Sequence, residues 1–167
     1  VNTIEEVEKI LNESEETKIL AGGQTLIPTM KQRLASPSTL IDISGIDELN
    51  FINDNGNSVT IGSTATHHEV SSSDIIMNKI PSLASLAEGI GDPHVRNMGT
   101  IGGSIANNDP TADYPTACLS LNAKIKTNNR EINAEDFFIG LFETALEENE
   151  IVVSIEFNIP KKSSYMK

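Results

Sequence analysis

The chain is 167 residues long, about the size of one domain and long enough to bury a core. Its formal net charge of −12 repels nucleic-acid backbones and anionic membrane surfaces, and without Trp it has few platforms for stacking bases. One cysteine, Cys118, excludes an internal disulfide and by itself holds neither zinc nor an iron–sulfur cluster.

No stretch approaches the roughly 20 apolar residues of a membrane span, and no signal peptide is visible, so the default location is cytoplasmic. In chain order, Thr3-Ile4-Glu5-Glu6 has capping-box spacing, and Ile4, Val7, Ile10 and Leu11 follow at helical intervals. A polar stretch from Asn12 to Thr17 leads to a short strand, Lys18 to Leu20, and then to a glycine pair. Thr25 is placed to cap a second helix with Leu26, Met30 and Leu34 on its apolar face. Pro28 is tolerated there because it falls in the first turn. "STLIDIS" reads as another strand, ended by Ser44-Gly45.

From Glu48 the pattern turns to hairpins. "LNFI" and "SVTIGS" flank "NDNGN", in which Asn55-Gly56 supplies positive φ angles for a tight turn. "SDIIMNKI" and "PSLASLAEGI" read as helical pieces, the second opening on Pro81. "AKIKTNNREI" is a second hairpin turning at Asn128-Asn129, and "AEDFFIG" is a helical turn. The acidic run Glu143 to Glu150 reads as a solvated helix face. In "IVVSIEFNIP", Val153, Ile155, Phe157 and Ile159 alternate as one buried face of a strand. The fold class is α+β. The pattern divides the chain into a small β-α-β subdomain over residues 1–47 and a larger antiparallel α+β subdomain over 48–167.

Two segments suit ligand chemistry. In Ala21-Gly22-Gly23-Gln24-Thr25-Leu26, a glycine loop joins a strand to a helix start. There, free N–H groups and the helix dipole attract anions, and glycine lets a diphosphate approach the backbone. A glycine turn packed closely against a sheet would look the same. The segment is neither a Walker A loop nor a G-x-G-x-x-G fingerprint. The second segment, "NMGTIGGSIANNDPTADYP", interleaves Thr100, Ser104, Asn107, Asn108, Asp109 and Asp113 with Ile101 and Ile105. Short polar side chains on a glycine-rich loop suit a polyhydroxylated, partly apolar ligand; an Asx-rich solvated loop is the alternative.

Together, "AGGQTLIP" and "TIGGSIANNDPTADYP" resemble the two FAD-binding signatures of the flavin (medium) subunit of molybdenum hydroxylases. That family includes aerobic carbon monoxide dehydrogenase and xanthine dehydrogenase. "IGDPHVRNMG" resembles the run preceding the second signature in the carbon monoxide dehydrogenase-like branch, and the resemblance covers nearly the whole chain. It implies the two-subdomain FAD-binding fold of the vanillyl-alcohol oxidase/molybdopterin dehydrogenase type. By the same resemblance, Ala21, Gly22, Gly23, Gln24 and Thr25, with Leu26 closing the segment, would wrap the FAD diphosphate. Thr100, Ile101, Gly102, Gly103 and Ser104 would form a second cradle, and Asp113 would accept hydrogen bonds from the ribityl chain. Ile90 would make an apolar contact where some relatives place an aromatic against the adenine, and Val153 would stand on the cofactor wall.

The implied role is an oxidoreductase subunit that passes electrons from partner [2Fe-2S] clusters through FAD to an external acceptor. Iron–sulfur and molybdenum-cofactor subunits would be its partners, with no metal and no catalytic acid, base or nucleophile on this chain. Members usually carry a further C-terminal domain, and the sequence stops about where that domain would begin. A non-redox assembly module that keeps the fold is the rival reading, and a stand-alone flavin oxidase or reductase is a third. His67-His68-Glu69 lacks a third ligand at suitable spacing and reads as a loop or helix start. His94 is a loop residue, and Cys118 belongs to the core.

Overall fold

Thr3 accepts a hydrogen bond from the Glu6 N–H and opens helix α1, Ile4–Glu13. The Glu6 carboxylate reaches back one residue further than a capping box requires, accepting from the Asn2 N–H at 2.7 Å. The computed structural model describes residues 1–14 and 16–167; Glu15, inside the polar stretch after α1, lies outside the described residues. Strand β1 (Thr17–Leu20), helix α2 (Leu26–Lys31) and strand β2 (Thr39–Asp42) form a crossover in which β1 and β2 pair in parallel. Helix α2 buries no residue, and Leu34, expected on its apolar face, is 75% exposed. Six residues end before Leu34 comes round to the face of Leu26 and Met30.

A hairpin of β3 (Ile52–Asp54) and β4 (Ser58–Gly62) follows. The Asn55 N–H donates to the Ser58 carbonyl, so the central turn residues are Gly56 and Asn57, and only Gly56 has a positive φ, +88°. The turn thus sits one residue later than Asn55-Gly56 implied, in the form with glycine at the first central position. Short helices fill the middle of the chain: α3 (His67–Ser72), α4 (Asp74–Lys79), α5 (Pro81–Glu88) and α6 (Pro93–Arg96). After them come α7 (Ile101–Asn107) and α8 (Asp113–Ser120). The second hairpin, β5 (Lys124–Thr127) and β6 (Glu131–Asn133), precedes a helical turn, α9 (Ala134–Phe137). Two short strands, β7 (Phe138–Gly140) and β8 (Glu143–Thr144), and the long strand β9 (Val152–Asn158) complete the chain.

The main sheet has the order β3-β4-β9-β5-β6 and is antiparallel throughout. Ile61, Ile155, Ile125 and Ile132 face one another across four adjacent strands. They form one row of a core closed by Leu83, Leu86, Ile101, Ile105, Tyr114 and Phe137 from the helices. Cys118 lies in this core, and burial pushes its thiol pKa up to about 12, so it acts as an apolar filler. A second cluster, Val7, Ile41, Ile43, Ile46, Leu49 and Ile151, sits beneath α1 and β2.

The acidic run is not a helix face. Glu143–Thr144 is a strand, and Glu150 is buried, its side chain 1% exposed. The Arg130 guanidinium holds that carboxylate at 2.8 Å, with further donors from Thr127 and the Glu147 N–H, and depresses its pKa. Among the described residues, no helix is long and apolar enough to cross a membrane.

Candidate functional site

The two glycine loops, nearly eighty positions apart in the chain, meet at one cleft of about 690 Å³. Their contact explains Gly22. A Cβ on Gly22 would collide with the Met98 carbonyl oxygen and lie 2.7 Å from the Gly99 Cα. The first loop therefore rests directly on the backbone that leads into the second. Gly23 holds φ +69°, and a Cβ there would meet Ile27 and Leu20. These two glycines satisfy packing and conformation rather than clearing space for a ligand.

What the first loop has to offer a ligand is its backbone. The N–H groups of Gly22, Gly23, Gln24 and Thr25 have no hydrogen-bond partner among the described residues. Gly23 is left-handed and Thr25, two residues on, is right-handed, so the chain turns sharply between β1 and α2. Thr25 does not cap α2 with its side chain, which leaves that hydroxyl available. With only six residues, α2 adds little dipole, so the anion-binding potential lies in the loop amides. Lys18 lines the same cleft and is the one Lys or Arg among its described lining residues.

The second loop is built differently. The Ile101 N–H donates to the Ala65 carbonyl at 3.0 Å and the Gly102 N–H to the Ser63 carbonyl at 2.9 Å. The Gly103 N–H donates to Thr100 Oγ1 at 3.1 Å and the Ser104 N–H to the Thr100 carbonyl at 3.0 Å. All four amides are thus committed within the protein. Gly102 is required because a Cβ would sit 2.6 Å from the Ser63 carbonyl oxygen. Gly103 is exposed, and beyond Thr100 Oγ1 a Cβ there would find only the Ala21 Cβ, at 4.0 Å. This loop offers close approach and side-chain hydroxyls, not free amides.

Of the residues the resemblance singles out, Ala21, Gly22, Gly23, Gln24, Thr25, Leu26, Ile90, Thr100, Gly102, Gly103 and Ser104 line the cleft. Ile101, Asp113 and Val153 do not. Ile101 points into the main core, fully buried. Val153 packs against the smaller cluster, and its strand neighbour Val152 lines the cleft instead. The Asp113 carboxylate accepts from the Tyr165 hydroxyl at 2.8 Å and from Lys167 Nζ at 2.6 Å.

Sequence reasoning missed the segment Ser63 to His67. Its carbonyls receive the second loop's amides, the His67 N–H donates to the Gly99 carbonyl, and Thr66 bridges to Thr100. Ser63 and His67 both line the cleft. Thr66 caps α3 in a full capping box with Glu69, so "THHE" begins a helix. His67 is buried and His68 exposed, pointing apart, and among the described residues no group of three His, Cys, Asp or Glu is placed to hold a metal. The one advance signal for Ser63 to His67 was its run of small hydroxyl residues directly after a strand.

Burial, aided by the Arg96 charge, pushes the His67 pKa down to about 4, so its imidazole is neutral near pH 7. Tyr114, wholly buried in α8, packs its ring 5.4 Å from that imidazole, and burial raises its phenol pKa far above the ordinary value.

Residues 1–162 match the family described as the FAD binding domain in molybdopterin dehydrogenase. The chain is 41% identical over 158 residues to the glyceraldehyde dehydrogenase medium chain of Sulfolobus acidocaldarius, covering 92% of this chain and 56% of that one. It is 42% identical over 144 residues to the carbon monoxide dehydrogenase medium chain of Hydrogenophaga pseudoflava, covering 84% of this chain and 50% of that one. A solved structure of carbon monoxide dehydrogenase from the same organism superposes with a TM-score of 0.92 at 40% identity, over 95% of this chain and 57% of that one. The chain spans about half the length of the curated relatives it matches.

Proposed function

Because the chain belongs to the FAD-binding domain family of molybdopterin dehydrogenases, we propose that it is the flavin-holding, electron-transferring part of a molybdenum–iron–sulfur hydroxylase. In this reading it acts in the cytoplasm beside an iron–sulfur subunit and a molybdenum-cofactor subunit, and electrons leave for an external acceptor. The observation that carries the proposal is the cleft that unites both glycine loops, with four amides on its first wall that have no partner among the described residues.

The chemistry of this cleft fits FAD. The amides of Gly22 to Thr25 and the Lys18 ammonium would hold the diphosphate, since they supply its donors; of the two carboxylates that also line the cleft, Asp109 and Glu150, the latter is paired with Arg130. Thr100, Gly103 and Ser104 would face the cofactor from the second loop, with Ile90 and Val152 as apolar walls. FAD, when bound, supplies the capacity to exchange both single electrons and pairs. The residues of this chain bind it, orient it and exclude water. Asp113, Ile101 and Val153 do not line the cleft themselves, but each adjoins a residue that does: Ala112, Gly102 and Val152. The two separate hydrophobic clusters favour a division into units near residue 47, with Leu49 and Ile151 joining the first.

The visible spectrum of the purified protein with FAD, before and after dithionite, tests this. A bound flavin band that bleaches and returns in air is expected. A protein that binds no flavin contradicts the proposal and favours an assembly role.

A further inference from the structure

Ser63 Oγ and His67 Nδ1 are buried and have no hydrogen-bond partner among the described residues, and both residues line the cleft. Ser63 is 3% exposed and His67 5%. The segment that carries them cannot swing away, because it is laced to the second loop through the Ser63 and Ala65 carbonyls and the His67 N–H. The His67 ring is also confined. Gly99 leaves no room beside it, since a Cβ there would lie 2.6 Å from Nε2, and Tyr114 packs against it. A fixed, neutral imidazole and a hydroxyl are both able to donate and to accept. Thr64 Oγ1 and the Tyr114 hydroxyl are likewise buried and unpartnered among the described residues, but of the four residues Ser63 and His67 are the two that line the cleft. Buried polar groups are normally paired, so these two mark where a ligand supplies the partners.

We propose that Ser63 and His67 form a neutral hydrogen-bonding subsite that takes an uncharged heteroaromatic ring of the bound dinucleotide. The proposal rests on the FAD reading above and adds a division of labour within the cleft. The free amides of the first loop and Lys18 face the anionic part of the ligand. Ser63 and His67, which carry no charge, face a neutral ring rich in donors and acceptors. Both atoms are covered, so reaching the ligand requires a change of the Ser63 rotamer and a half-turn of the imidazole within its confined outline. Ile90 and Val95, which also line the cleft, supply apolar contact for the face of a ring. FAD offers two such rings, the adenine and the isoalloxazine, and the same hydrogen bonding suits either.

The test measures binding of FAD, FMN, AMP and inorganic pyrophosphate to the purified wild type and to Ser63→Ala, His67→Leu and His67→Asn. Each of Ser63→Ala and His67→Leu is expected to weaken FAD about five-fold, the worth of one neutral hydrogen bond, and to leave pyrophosphate unchanged. A matching loss for AMP but not FMN assigns the subsite to the adenine, and the reverse assigns it to the flavin ring. His67→Asn, which keeps a neutral donor and acceptor, is expected to recover most of the loss. Equal weakening of all four ligands would mean a structural role and overturn the proposal, as would unchanged FAD affinity in both variants. A wild type that binds none of the ligands would sink the FAD reading itself, whereas normal FAD binding by His67→Leu and Ser63→Ala would sink the subsite alone.

Discussion

The two glycine loops look alike in sequence and do opposite work with their backbones. In the loop at Gly22 to Thr25, which lines the cleft, the amides have no partner among the described residues, while the loop from Ile101 to Ser104 has committed its amides to Ser63, Ala65 and Thr100. In the proposed function one is a recognition surface. The other is a structural joint that brings hydroxyls and a bare Gly103 to the opposite wall. The lesson is that a glycine-rich motif reports close approach, and only the hydrogen-bond accounting of each amide says whether the neighbour is a ligand or the protein itself.

The comparison can be broken most severely where the loops touch. Gly22→Ala would drive a Cβ into the Met98 carbonyl and the Gly99 Cα, which are backbone and cannot turn aside. It is expected to cost about 3 kcal/mol, read as a lowered denaturant midpoint, with FAD affinity lost as the loops part. A melting curve identical to wild type would show that the loops do not depend on each other.

Acid should undo the second loop's support next. Unfolded His67 takes a proton near pH 6.5, whereas the folded residue resists until about pH 4. Between those values the unfolded chain binds more protons, so stability falls as pH drops through the window, by about 3 kcal/mol at most. His67→Leu is expected to flatten that decline. An unchanged profile in the variant would place the acid sensitivity elsewhere.

A matched pair of threonines sharpens the contrast at the smallest scale. Thr100→Val removes the hydroxyl that accepts from the Gly103 N–H and is expected to cost about 1 kcal/mol of stability. Thr25→Val removes a hydroxyl that makes no cap. It should leave the melting curve within about 0.5 kcal/mol of wild type and weaken FAD binding a few-fold. Reversed effects, with Thr25→Val destabilising and Thr100→Val acting on affinity alone, would exchange the roles assigned to the loops.

Much of the fold was legible because its signals are local. The Thr3 cap, Pro81 at the start of a helix and the alternation through Ile155 and Phe157 each act within a few residues. The turn at Gly56-Asn57 slipped by one position because Asn-Gly and Gly-Asn both suit two-residue hairpins. The acidic run misled because charge normally marks a solvated face, whereas Glu150 is neutralised by Arg130, twenty residues away. The cleft was legible through its glycine loops, but its third wall was not. Ser63 and His67 matter because they meet residues some thirty-five positions later, and the small hydroxyl residues of "GSTATHHEV" hint at a close contact without saying with what.

Amide hydrogen exchange of the purified protein with and without FAD tests the division between the loops most directly. The expected result is new protection at Gly22, Gly23, Gln24 and Thr25, with Ile101, Gly102 and Gly103 already slow before FAD is added. Protection gained at Ile101 to Gly103 while Gly22 to Thr25 stay unchanged would contradict it.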